Sequence, residues 1–112
     1  MNIPGHYLTM SDAELYLELA GALSGGHAAP LDPEEAERAG FNYFQSILPQ
    51  IRVAVCGSPL VKSFVKKDDV FAVASAIAEL ISAHFALPRA AATISVLAAR
   101  MGLKNLCPMV EP

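Results

Sequence analysis

The chain has 112 residues, a length suited to one domain that buries about 65% of the surface its unfolded form exposes. Its hydrophobic fraction is 54% and its charged fraction 17%, against norms of about 45–50% and about 25%, so the sequence carries more apolar area than a small monomer normally hides. A net charge of −3 excludes a global field that draws the chain to nucleic acid or anionic lipid.

The apolar surplus has two explanations at this stage. A second copy or a partner protein covers it, which is the leading expectation, or alanine raises the count while adding little adhesive surface. The two cysteines, Cys56 and Cys107, are too few for a dense disulfide framework, and both are expected to be packing thiols in a reducing cytoplasm. The Ala-rich helical style suggests a prokaryotic cytosolic protein.

Residues 1–10 contain the breaker pair Pro4-Gly5 and show no clear period, which predicts an extended lead-in with Tyr7 and Leu8 docked on the domain. They lack the basic stretch and apolar run of a signal peptide, so no export is expected. A first helix opens at Ser11, where Ser11-Asp12-Ala13-Glu14 has the reciprocal capping form. Leu15, Tyr16, Leu19, Ala20 and Leu23 give it one buried face, and Gly25-Gly26 ends it. Those glycines lack the lysine and hydroxyl residue of a phosphate-binding loop.

Asp32, Pro33, Glu34 and Glu35 open a second helix, combining a capping carboxylate, a first-turn proline and two acids at the positive end of the helix dipole. Its apolar set, Ala36, Gly40, Tyr43, Phe44, Ile47, Ile51, Ala54 and Val55, keeps phase across Pro49. One kinked helix from Pro33 to about Cys56 is therefore predicted, with a break near Leu48 as the alternative. Residues 60–67 fit a short connecting helix bearing Lys62, Lys66 and Lys67.

The organising stretch is Asp68–Cys107. Asp68 or Asp69 caps a strongly apolar helix whose core face reads Val70, Val73, Ala74, Ile77, Leu80, Ile81 and His84. Its polar strip, Ser75-Glu79-Ser82, is narrow, which predicts a central position in the fold. The same run falls short of a membrane span because Glu79 and His84 interrupt it. Pro88 begins the last helix, with Ala91, Ile94, Leu97, Ala98 and Met101 inward and Arg89, Thr93 and Arg100 outward. Gly102 ends it, and residues 103–112 form a tail.

The expected fold class is therefore all-α, one compact bundle of four main helices plus one short connecting helix. His6, His27 and His84 are mutually remote and none has a second ligand at helical spacing, so no metal or other cofactor is expected. Nothing in the chain pairs a nucleophile with a base, and an enzyme is not expected. Glu79 faces water, pairs with Arg89 or Arg100 across the helix pair, or meets a basic residue of another chain. Ser75, Glu79, Ser82, Arg89 and Arg100 are accordingly the candidate interface.

These features favour a small protein-interaction or accessory subunit that self-associates or docks on a partner. Two alternatives stand beside it. One is a nucleic-acid-associated regulator using Lys62, Lys66 and Lys67, weakened by the adjacent Asp68 and Asp69. The other is a small-ligand binder with an apolar pocket among the helices.

Overall fold

A computed structural model of the chain describes residues 3, 5–23, 32–59, 63, 69–85 and 88–107, without the side chains of Leu23, Pro88, Arg89 and Lys104. The fold is an all-α bundle with four main helices: α1 (Asp12–Leu23), α2 (Pro33–Cys56), α3 (Val70–Ser82) and α4 (Pro88–Met101). A 3-10 turn at Gly5–Leu8 precedes them, and a single-turn helix, α5 (Leu103–Leu106), follows. The expected connecting helix over residues 60–67 and the Gly25-Gly26 stop lie outside the described residues.

The lead-in is not extended over Gly5–Leu8. Its 3-10 turn carries Tyr7 inward, where the side chain is buried and its hydroxyl donates to Glu18 Oε1 at 3.3 Å. Helix α1 begins with the anticipated reciprocal cap. The Ser11 amide donates to Glu14 Oε1 at 3.0 Å and the Glu14 amide to Ser11 Oγ at 3.1 Å, satisfying two donors the helix itself leaves open. Leu15 and Leu19 are then wholly buried one turn apart.

Helix α2 runs unbroken through Pro49, which is exposed, so the proline removes an amide only where water reaches the carbonyl left behind. Asp32 occupies the N-cap position, but its carboxylate makes no capping hydrogen bond; Pro33 at the first turn sets the start instead. Gly40, Phe44, Ile47, Leu48, Ile51 and Val55 form the buried face. Helix α3 starts where Asp69 Oδ1 accepts from the Ala72 amide at 3.2 Å, and it buries Val73, Ala74, Ile77, Ala78 and Ile81.

His84 is exposed, contrary to its expected place at the edge of the core. Helix α3 ends at Ser82, and the His84 amide bonds the Ile81 carbonyl three residues back rather than four. That tightening turns the residue off the helical phase.

The central helix is α4, not α3. Every residue from Ala90 to Ala99 is buried, on all sides of the helix. Five alanines in that run, at 90, 91, 92, 98 and 99, present little side-chain bulk, which lets α1, α3, α5 and the 3-10 turn close around the same rod. Thr93 is wholly buried rather than facing away, because no side of α4 at that level meets water. Ser95 is buried too, its hydroxyl donating to the Ala91 carbonyl at 2.7 Å within the helix.

Gly102 takes φ +84°, the left-handed conformation that ends α4 and turns the chain into α5. Leu103 and Leu106 pack back into the core. At the end of this return Cys107 is joined to Cys56 by a disulfide, with Cα atoms 5.5 Å apart. The expectation of two separate packing thiols is therefore corrected. Residue 56 closes α2 while residue 107 follows α5, and folding brings these two helix ends side by side. Arg52 reinforces the junction, its Nε donating to the Leu106 carbonyl at 3.0 Å.

Candidate interaction surface

Ser75, Glu79 and Ser82 do share the outer face of α3, with Glu79 exposed and the two serines half-buried. The Ser82 hydroxyl donates to the Glu79 carbonyl at 3.0 Å, so it is spent within its own helix. Arg100 does not join them. Its Nη1 donates to Asp12 Oδ1 at 2.7 Å, and its Nη2 donates to the Leu8 and Met10 carbonyls. A side chain expected to face outward thus binds the lead-in to the start of α1 and the end of α4. Its planar fork suits that task, because several donors point one way at once.

The Arg89 side chain and residues Lys62, Lys66 and Lys67 lie outside the described residues. So does His27, whereas His6 is exposed and stacks on Tyr7 with ring centroids 4.5 Å apart. Among the described residues no group of three His, Cys, Asp or Glu side chains is placed to hold a metal ion, and no helix is long and apolar enough to cross a membrane.

What the packing does assemble is an aromatic edge along α1 and α2. The helices run antiparallel there, with Gly40 set directly against the Tyr16 backbone. That approach leaves the Tyr16 ring against Phe41, edge to face at 5.3 Å, and near Phe44 at 6.3 Å. Burial raises the Tyr16 phenol above its ordinary value, and the negative charge of Asp12 adds to the rise.

Two clefts flank Tyr16. The first, about 400 Å³, is lined by Tyr16, Glu34, Glu37, Arg38 and Phe41. The second, about 430 Å³, has Phe44, Leu48 and Leu97 at its floor, all buried, and Arg52 and Arg100 among its polar walls.

Among the described residues three large apolar side chains remain outside the core: Phe41 at 43% exposure, Phe71 at 50% and Val53 at 76%. Neither Phe41 nor Phe71 is among the candidate interface residues read from the sequence. The available signal was phase, since Phe41 falls out of step with the apolar set of α2 and sits on its polar side.

Charge is also divided along the chain. Residues 1–37 contain seven of the eleven Asp and Glu residues and no Lys or Arg, leaving four acids and all eight Lys and Arg residues for 38–112. Helix α1 and the first turns of α2 therefore carry most of the acids, with Glu14, Glu34 and Glu35 exposed. No protein-family model, curated protein or solved structure matches the chain at a significant level.

Proposed function

We propose that the chain is a self-associating protein-interaction module, a small non-catalytic accessory subunit. The observation that carries this reading is the pair of half-exposed phenylalanines, Phe41 and Phe71, on helices whose opposite faces are already fully packed. Part of the apolar surplus is internal alanine, concentrated in α4, and contributes nothing to adhesion. Phe41 and Phe71 are different, because a half-exposed aromatic side chain forgoes about half of the roughly 1.5–3 kcal/mol that full burial is worth, and a covering partner recovers it.

The reading is tested by light scattering over a concentration series, with Phe41→Asp and Phe71→Asp beside the unaltered protein. Mass that rises with concentration and is lowered by either substitution supports it. A protein that stays monomeric throughout and retains no partner in a pull-down sinks it.

A second reading, a small-ligand binder, draws on the cleft of about 430 Å³ between α1, α2 and α4, within the usual size range of ligand pockets. It ranks second because the apolar floor is already buried against its own neighbours, which leaves a ligand little new surface to cover. Thermal-shift measurements with long-chain carboxylates and haem test it, and flat melting temperatures remove it.

The expected cytoplasmic location rested in part on two free thiols and loses that part of its support. The Cys56–Cys107 disulfide favours a compartment oxidising enough to keep the pair closed.

A further inference from the structure

We propose that the cleft between α1, α2 and α4 binds a medium-chain monocarboxylate, with the carboxylate on Arg52 and the tail running towards Tyr16. The assignment rests on the small-ligand reading and adds to it the ligand class and its orientation. Arg52 lines the cleft, and its Nε is already spent on the Leu106 carbonyl at 3.0 Å. That bond fixes the plane of the guanidinium. Among the described residues its two terminal nitrogens have no hydrogen-bond or ion-pair partner, although they carry most of the side chain's donors. The open end of the fork matches the two oxygens of a carboxylate, and a fork oriented before binding loses little freedom on receiving one.

Charge selects a monoanion. Arg100 and Asp12 line the same cleft but pair with one another at 2.7 Å, which leaves Arg52 as the cation without a counter-charge there. One uncompensated guanidinium balances one carboxylate. A phosphate monoester brings about two negative charges, and the second finds no free cation in these walls.

Helix α2 sets the length of the ligand. Gln45, Leu48 and Arg52 share one side of it by their helical spacing, and the rise from Gln45 to Arg52 is about 10 Å. That span suits octanoate, whose last carbons then lie beside Gln45 and the Tyr16 ring. Phe44, Leu48 and Leu97 close the bottom against water, and the half-buried Met101 and Tyr16 supply the apolar surface that a tail still covers. Because the floor itself is already buried, the carboxylate carries most of the affinity and the tail sets the preferred length.

The test is a titration of isotope-labelled protein followed by its amide NMR shifts. Octanoate is expected to move the amides of residues 45–52 and 97–101 saturably, whereas octanol, with the same tail and no charge, leaves them in place. Arg52→Met keeps the stem and removes the fork; it is expected to weaken octanoate at least about tenfold, the order expected when a charge-assisted hydrogen bond is lost. Arg52 also holds α5, so Gln45→Trp supplies a readout that a structural role does not move. Gln45 is exposed, the change leaves the core alone, and the indole fills the tail end of the cleft. Preference is then expected to pass from octanoate to butanoate.

Shifts that settle on other parts of the chain, octanol that binds as well as octanoate, undiminished binding by Arg52→Met, or a length preference unmoved by Gln45→Trp overturns the assignment. Octanoate without effect beside haem that raises the melting temperature removes the assignment and leaves the small-ligand reading standing. If neither acts, both fall.

Discussion

A Cβ atom built on Gly40 stands 2.7 Å from the carbonyl carbon of Tyr16 and 3.0 Å from its Cα, so the crossing of α1 and α2 has no room for a side chain at this point. The obstruction is backbone, which cannot step aside as a flexible side chain does. Gly40→Ala should therefore destabilise the fold by about 3 kcal/mol, despite the gain of roughly 1 kcal/mol that alanine ordinarily brings to a helix interior. A fall in melting temperature of ~12 °C is expected for a chain of this size. Gly57→Ala is the control: its nearest neighbour would be 3.7 Å away and its φ is −81°, so the change should stay within about 1 kcal/mol.

Reduction of the Cys56–Cys107 disulfide should have an effect of comparable size. The bond closes a loop with a sequence separation of 51, for which the chain-entropy relation gives about 4 kcal/mol. Urea unfolding with and without a reductant measures it directly. A double Cys56→Ser, Cys107→Ser variant should unfold like the reduced protein and no longer respond to reductant.

Arg100 and Asp12 separate a salt bridge from what surrounds it. Asp12 is 65% exposed, so Asp12→Asn should cost no more than about 1 kcal/mol. Arg100→Met also strips the Leu8 and Met10 carbonyls of their donor and should cost about 2 kcal/mol. Equal losses in the two melts would show that the ion pair, rather than the carbonyl contacts, holds the lead-in.

Glu14 gives the fold an acid-sensitive element. The Ser11 amide hydrogen bond, with the Ser11 hydroxyl contributing, holds its carboxyl below the ordinary value of 4.5. A lowered folded-state value stabilises the protein above the unfolded value, and that contribution disappears as pH falls through the folded one. Melting curves of the unaltered protein and Glu14→Gln should therefore run parallel above about pH 5 and draw closer below about pH 4.5. Ser11→Ala removes the other half of the cap and should cost about 1 kcal/mol at neutral pH.

The parts of this fold that were legible in the sequence are those decided within a few residues. Ser11 with Glu14 and Asp69 with Ala72 are local exchanges of hydrogen bonds, and the buried phase of α2 follows from a repeat that continues past Pro49. The central place of α4 was hidden because hydropathy weights bulk, whereas alanines earn a helix its central position by being small. Cys56 and Cys107 have no local signature of pairing at a separation of 51. The same is true of Arg100, whose partners Leu8, Met10 and Asp12 lie 88 to 92 residues away in sequence.

The enclosed position of α4 also imposes a timetable on synthesis. Helices α1 and α3 leave the ribosome before α4, each with an inner face that awaits the alanine-rich rod between residues 88 and 101. Until that rod emerges the core to which Leu15, Leu19, Ile77 and Ile81 belong is incomplete, the condition under which partly made chains aggregate or engage chaperones. Only after α4 is in place can the last turn return to α2 and bring Cys107 to Cys56, so formation of the native disulfide should report completion of the fold rather than initiate it.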